Sequence, residues 1–288
     1  MESDMQVTNS NEAPDGTAAP DDVVVVSDLA LGYGDKLVVD GVSFAIPAGR
    51  LTCIIGGSGS GKSTLLRSFV GLLAPERGNI TLLGQPLADI GEDARATLMG
   101  RVGLMFQDGA LLNSLTLAQN LAIPLKAHTA LADDVVADLV RMKLALVRLE
   151  DSGDKLPGEL SGGMRKRAGL ARALMLDPEL VLCDEPSAGL DPVMQADVDQ
   201  TLLRLRDTLG LTVVVVTHEV ESIKAIADRV VLLEGGRIAF DGTLEEALAG
   251  GVPSLDAFFS RQADEGDDDR KTSLAEHLTF DDLAVSGA

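Results

Sequence analysis

Nine consecutive residues, Gly56-Gly57-Ser58-Gly59-Ser60-Gly61-Lys62-Ser63-Thr64, follow directly on the apolar run Leu51–Ile55 and lead into Leu65-Leu66. The pattern G-x-x-x-x-G-K-[ST] between a buried strand and a helix is that of a phosphate-binding loop. The residue types explain the chemistry. Glycines let successive backbone N–H groups turn inward around an anion. The helix that follows adds the partial positive charge of its N-terminus. Lys62 is placed to reach the outer phosphates as a point charge, and the Ser63 hydroxyl to ligate Mg²⁺. A glycine-rich turn with a solvated lysine is the bland alternative, and the agreement of strand, loop and helix weighs against it.

The chain has 288 residues, enough for one large α/β domain with a sizeable core or for two small domains. Its formal net charge of −21 excludes a nucleic-acid partner as the expectation, because phosphate contacts need clustered Lys and Arg. It also means that a nucleotide must be held by local cations, N–H groups and a metal against an unfavourable long-range field. Residues 1–22 and 263–288 read as disordered or flexible, the second carrying the acidic run Asp264-Glu265-Gly266-Asp267-Asp268-Asp269. No apolar stretch approaches bilayer-spanning length and no secretory signal is visible. Cys53 and Cys183 lie in apolar strand runs and read as reduced core residues.

Along the chain, strands are expected at Val23–Val26, Val42–Ile46, Leu51–Ile55, Asn79–Leu83, Val102–Phe106, Leu180–Cys183 and Leu211–Val216, with a hairpin turned at Glu234-Gly235-Gly236. Helical spacing appears at 62–73, 193–209 and 219–227, and dominates about 115–175. Strands alternating with helices imply an α/β fold with a mostly parallel sheet and helices on both faces. The helical stretch, about 108–175, reads as an insertion into a domain spanning 23–262.

Four further segments carry chemistry. Asp184 and Glu185 close the apolar run Leu180–Cys183, at the strand end where ligands bind in open α/β sheets. Asp184 is placed to hold Mg²⁺, and Glu185 to polarise an attacking water. Ser161 is a candidate helix cap, and Gly162-Gly163 permit close approach to an anion. Arg165, Lys166 and Arg167 then oppose the dipole of that helix, which gives mild support to an anion site. His218 follows the buried run ending at Val216 and so belongs to the same sheet edge. Gln107 ends the strand at 102–106 within reach of a metal, and Tyr33, the single tyrosine, lies in a turn where its ring can stack on a nucleobase.

Taken in order, these segments resemble the nucleotide-binding subunit of an ATP-binding cassette transporter over about residues 22–262. The fold implied is a P-loop NTPase cassette with a mostly parallel core sheet, a small antiparallel β subdomain and an inserted α-helical subdomain. The resemblance implies ATP and Mg²⁺ as cofactors and a head-to-tail dimer. In it, Ser161, Gly162 and Gly163 of one copy meet the nucleotide held by the phosphate loop of the other, Glu185 serves the water, His218 senses the γ-phosphate and Asp191 links the two sites. It further implies a membrane permease as partner, with Leu111, Leu112 and Leu115 exposed to meet it at the cytoplasmic face. The wording Phe106–Leu112, Leu160–Arg165 and Asp184–Pro192 is similar to the lipid-transport ATPases of the mammalian-cell-entry and maintenance-of-lipid-asymmetry systems. Lipid would be touched only indirectly. Met164 stands where glutamine is commoner. The alternatives are the same motor for an amino acid or metal chelate, or a soluble ATP-driven switch.

Overall fold

A computed structural model describes residues 21–260 except 89 and 108. The acidic run at 264–269, the proposed tail and most of the N-terminal segment lie outside the described residues. Asp22 is the first residue of the first strand.

Two sheets and two groups of helices make the core. The larger sheet holds β3 (Leu51–Ile55), β6 (Val102–Met105), β7 (Leu180–Asp184), β8 (Thr212–Val216), β9 (Arg229–Glu234) and β10 (Arg237–Thr243), in the order β10-β9-β3-β8-β7-β6. Its strands run parallel except β10, which forms the expected hairpin with β9. β3 and β8 are buried at every residue, each with a single threonine, Thr52 and Thr212, among apolar neighbours, as strands of a two-sided sheet are. A fully buried Val or Leu contributes about 1.5–3 kcal/mol, so these strands anchor the edge from which the site projects.

The smaller sheet is antiparallel and contains β1 (Asp22–Tyr33), β2 (Lys36–Pro47), β4 (Arg77–Leu82) and the two-residue β5 (Gln85–Pro86). β1 and β2 are far longer than the apolar cores at 23–26 and 42–46, because register shifts let the pair continue past its polar interruptions.

One face of the parallel sheet does not carry helices alone, as strand–helix alternation suggested. Ile54, Leu182, Val214 and Val216 pack there against α1 (Lys62–Phe69) and against Leu29, Leu31 and Phe44 of the antiparallel sheet. The opposite face, with Cys53, Ile55, Val181 and Val215, is covered by α5 (Gly162–Ala173), α6 (Pro192–Leu209) and α7 (Val220–Ile226). A third apolar cluster joins α3 (Leu117–His128), α4 (Asp133–Leu146) and the buried side of α5. The remaining helices are α2 (Glu92–Met99), α8 (Leu244–Leu248) and a last segment, α9, at 253–260. Among the described residues no helix is long and apolar enough to cross a membrane.

Candidate functional site

β3 ends at Ile55 and the chain turns through Gly56–Gly61 into α1. Two glycines are dictated by space as well as by backbone. A Cβ on Gly56 (φ 148°) would lie 2.2 Å from the carbonyl oxygen of Leu233, and one on Gly61 (φ 106°) 2.7 Å from Val39. Gly61 is also the N-cap of α1. It offers no side-chain cap, and the first turn carries no acidic residue, so the N-terminal N–H groups are left for an anion. The Lys62 ammonium donates to the carbonyls of Gly56 (2.7 Å) and Gly57 (2.9 Å), which holds the loop as a ring. Burial lowers the Lys62 pKa, and the charges of Glu185 and Asp184 oppose that shift.

Parallel pairing of β3 with β8 and of β8 with β7 brings the ends of these strands to one edge. There the Ser63 hydroxyl donates to Asp184 Oδ1 at 3.2 Å. Burial raises the Asp184 pKa, while this hydrogen bond from Ser63 holds it down in part. Glu185 adopts φ 50°, a left-handed backbone that a non-glycine residue keeps only when its surroundings enforce it. Its N–H donates to Val216 O at 2.8 Å, and its carbonyl accepts from Lys166 Nζ at 2.9 Å. Glu185 Oε1 lies 2.7 Å from His218 Nδ1, and Oε2 is buried without a hydrogen-bond partner. A carboxylate at that distance selects the ring tautomer with its proton on Nδ1.

Gly56–Ser60, Lys62, Ser63, Gln107, Glu185 and His218 line one cavity of about 840 Å³, together with Leu233, Glu234 and the α9 residues Ser254 and Phe258. The donor set suits a polyphosphate. It offers glycine N–H groups, an ammonium and the unpartnered buried hydroxyl of Ser60, while the unpartnered Oε2 of Glu185 is an acceptor, suited to a water and not to a phosphate. No group of three or more His, Cys, Asp or Glu is arranged to hold a metal among the described residues. Ser63 and Asp184 fit Mg²⁺ in the usual way for this ion, with phosphate oxygens and waters completing the shell.

The other expected residues stand elsewhere. Tyr33 is half exposed at the end of β1, and its hydroxyl accepts from Arg67 of α1 at 3.3 Å, outside the cavity wall. Thr64 sits in the first turn of α1 and is also absent from that wall. Ser161 caps α5, accepting from the Met164 N–H at 3.3 Å, and Asp191 caps α6, accepting from Val193 and Met194 at 3.0 Å. A Cβ on Gly162 would meet Leu190 at 2.9 Å, so the two capped turns pack on each other. None of Ser161, Gly162, Gly163 and Asp191 reaches the phosphate-loop cavity of its own chain.

Two expectations are corrected by packing. The basic residues of α5 turn to backbone carbonyls of the same chain. Arg165 donates to Leu160 O, Lys166 to Gln107 O and Glu185 O, Arg167 to Val147 O, and Arg172 to Gly109 O and Ala110 O. Backbone carbonyls, joined at Arg167 by the Asp197 carboxylate at 3.3 Å, offset the unfavourable placement of Arg165, Lys166 and Arg167, whereas Arg172 lies in the last turn, where a cation is favoured. Leu111 and Leu115 are half-buried, Leu111 against the third apolar cluster, and only Leu112 is well exposed.

The sequence reading missed Asn120, fully buried on α3. Its amide accepts from the Leu112 N–H and donates to the carbonyls of Leu112, Leu115 and Thr116, which fastens the segment after Gln107. A polar residue on the apolar stripe of a helix was the available signal. It also missed Asp199. This buried carboxylate accepts from Ser222 Oγ of α7 at 2.6 Å, and Ser222 Oγ lies 3.1 Å from Ser187 Oγ and accepts from Gln195 at 2.9 Å. The helix after His218 is thereby tied to the turn after Glu185.

The family model for the ABC transporter matches residues 39–188. The "probable ribonucleotide transport ATP-binding protein mkl" of Mycobacterium tuberculosis is 39% identical over 237 residues, 82% of this chain and 66% of the relative. The chain thus spans slightly under two thirds of that mycobacterial protein. The "intermembrane phospholipid transport system ATP-binding protein MlaF" of Escherichia coli is 36% identical over 242 residues, covering 84% of this chain and 90% of the relative. Among solved structures, cbiO1 from Clostridium perfringens, part of the ABC transporter complex cbiONQ, superposes with a TM-score of 0.74 at 30% identity, covering 80% of this chain and 91% of that one. The dimeric post-hydrolysis state of the ATP-binding cassette MJ0796 bound to ADP and Pi gives 0.70 at 28% identity, covering 77% and 98%. With the phosphate loop, the acidic strand end and the capped glycine turn all in place on this fold, the chain belongs to the ABC transporter family as an ATP-binding cassette.

Proposed function

We propose that this chain binds and hydrolyses ATP with Mg²⁺ and works as the motor subunit of a membrane transporter. The observation that carries the reading is the convergence of Lys62, Ser63, Glu185 and His218 on one cavity, with Asp184 bonded to Ser63 at 3.2 Å and Glu185 Oε1 2.7 Å from His218. Bound Mg²⁺ would supply charge neutralisation at the outer phosphates. Lys62 and the α1 N-terminus bind the phosphates, Ser63 and Asp184 hold the ion, and Glu185 takes a proton from water, oriented by His218. Ser161, Gly162, Gly163 and Asp191 belong to a second site surface, completed by another copy of the chain. Tyr33 contacts the base, and Gln107 links the site to the permease. With a net charge of −21, two copies repel, so shared nucleotide is what holds them together.

The cargo proposed is phospholipid or another lipid, carried by a permease at whose cytoplasmic face this subunit sits peripherally. The MlaF relatives support that reading. The name of the mkl relatives favours ribonucleotide transport as a second reading. The test is twofold. Purified chain should hydrolyse ATP in a Mg²⁺-dependent reaction, and Glu185→Gln should abolish turnover by at least about a hundredfold while ATP binding persists. Copurification with the permease should then bring down lipid. Recovery of nucleotide cargo instead would favour the second reading, and a Glu185→Gln chain with full turnover would remove the role assigned to Glu185.

A further inference from the structure

Lys166 is the fifth residue of α5, yet it is only 7% exposed. Its ammonium donates to two backbone carbonyls, those of Gln107 and Glu185. These residues follow β6 and β7, which are paired in parallel register through Met105 and Cys183. One side chain therefore bridges the loop that leaves β6 and the residue that ends the acidic strand. Resting on the ATPase reading above, we infer that Lys166 is a positioning residue: it aims the Glu185 carboxylate and couples that aim to the Gln107 loop.

The backbone of Glu185 carries the argument. Its left-handed conformation is held from one side by Val216 O accepting its N–H, and from the other by Lys166 donating to its carbonyl. With both ends fixed, the Cα–Cβ bond has one direction, and the 2.7 Å contact with His218 sets the rest of the side chain. Lys166 shares α5 with Ser161, the cap of that helix. A small displacement of α5 moves the ammonium, and with it both carbonyls. Lys166 is thus the point where the capped glycine turn, the Gln107 loop and Glu185 meet within one chain. A neutral side chain of similar length takes the ammonium from the Gln107 carbonyl, leaves the Glu185 carbonyl with only the Ala188 N–H at 3.4 Å, and releases the clamp.

The experiment compares the full wild-type chain with Lys166→Met and Lys166→Gln, the latter keeping two N–H donors. Lys166→Met should lower kcat for ATP by at least about tenfold, because a displacement of an ångström in a reacting geometry can lose about a hundredfold. ATP affinity should stay within about twofold, the signature of an interaction used after binding. Lys166→Gln should recover most of the loss. In a Glu185→Gln background, ATP with Mg²⁺ should slow amide exchange across 105–112, and adding Lys166→Met should remove that protection. Wild-type kcat in Lys166→Met overturns the proposal. So does a joint fall of kcat, affinity and melting temperature without recovery in Lys166→Gln, which would mark Lys166 as a structural staple. A wild-type chain that hydrolyses no ATP overturns the proposed function, a result distinct from both.

Discussion

The phosphate-loop region and the α5 region solve the same problem by different means. Around Gly56–Ser63 the backbone does the positioning: close approach to Leu233 and Val39 excludes side chains, and strand register delivers Asp184 and Glu185 to the same edge. Around α5 side chains do it. Arg165, Lys166, Arg167 and Arg172 each reach across to carbonyls of other segments. The first arrangement is local and rigid. The second is a set of long side chains, each holding the backbone of another stretch of chain through its carbonyls.

That contrast can be broken experimentally. Lys62→Ala should weaken ATP binding by at least about thirtyfold by calorimetric titration, since losing one partner of a buried charged contact costs about 2–5 kcal/mol. Unchanged affinity would show that the loop needs no ammonium. Beside it, Asp199 should reveal itself through pH. Burial pushes its carboxyl up to about 6 from an ordinary 3.8, the Ser222 hydrogen bond opposes the shift, and the Glu219 charge adds to it. A raised folded-state value means that this group favours the fold below about pH 4, and that the advantage is lost as pH rises through about 6. Asp199→Asn should therefore melt higher than wild type above pH 6, by up to the equivalent of about 3 kcal/mol, with the gain vanishing near pH 4. A gain independent of pH would contradict this.

In the α5 region, Gly169→Ala places a Cβ 2.7 Å from the Cα of Gly109. Denaturant titration should show a loss of about 1–3 kcal/mol from this overpacking, with ATP affinity retained. Ser161→Ala is the smallest change. Losing a helix cap costs about 1 kcal/mol. If Ser161 also meets nucleotide on a second copy, ATP-dependent pairing of the Glu185→Gln chain, followed by gel filtration, should weaken beyond that. Pairing that is unaffected would restrict Ser161 to capping.

Sequence made the rigid region legible and hid the tethered one, for a physical reason. Leu180–Cys183 and Leu211–Val216 announce themselves because a strand buried on both faces must be largely apolar, and the glycine loop because its spacing follows from anion geometry. Ser161 was recognisable as a cap from its neighbours. Lys166 was not recognisable as a bridge, because a lysine early in a helix reads as surface until the fold brings Gln107 and Glu185 beneath it. α2 went unseen because Leu98 is its one buried residue, so it carries no apolar stripe. Likewise, alternation of strands and helices cannot say that a second sheet, rather than more helices, covers one face.

Cys53 and Cys183 sit side by side with the machinery, on β3 and β7, fully shut away from solvent. Burial pushes the Cys183 thiol up to about 12 and raises that of Cys53 further still. Both are therefore poor nucleophiles while the sheet is intact. Their alkylation should wait for the strands to part, which makes the rate of thiol labelling a native stopwatch for opening of the sheet next to Asp184, readable with and without nucleotide and with no engineered probe.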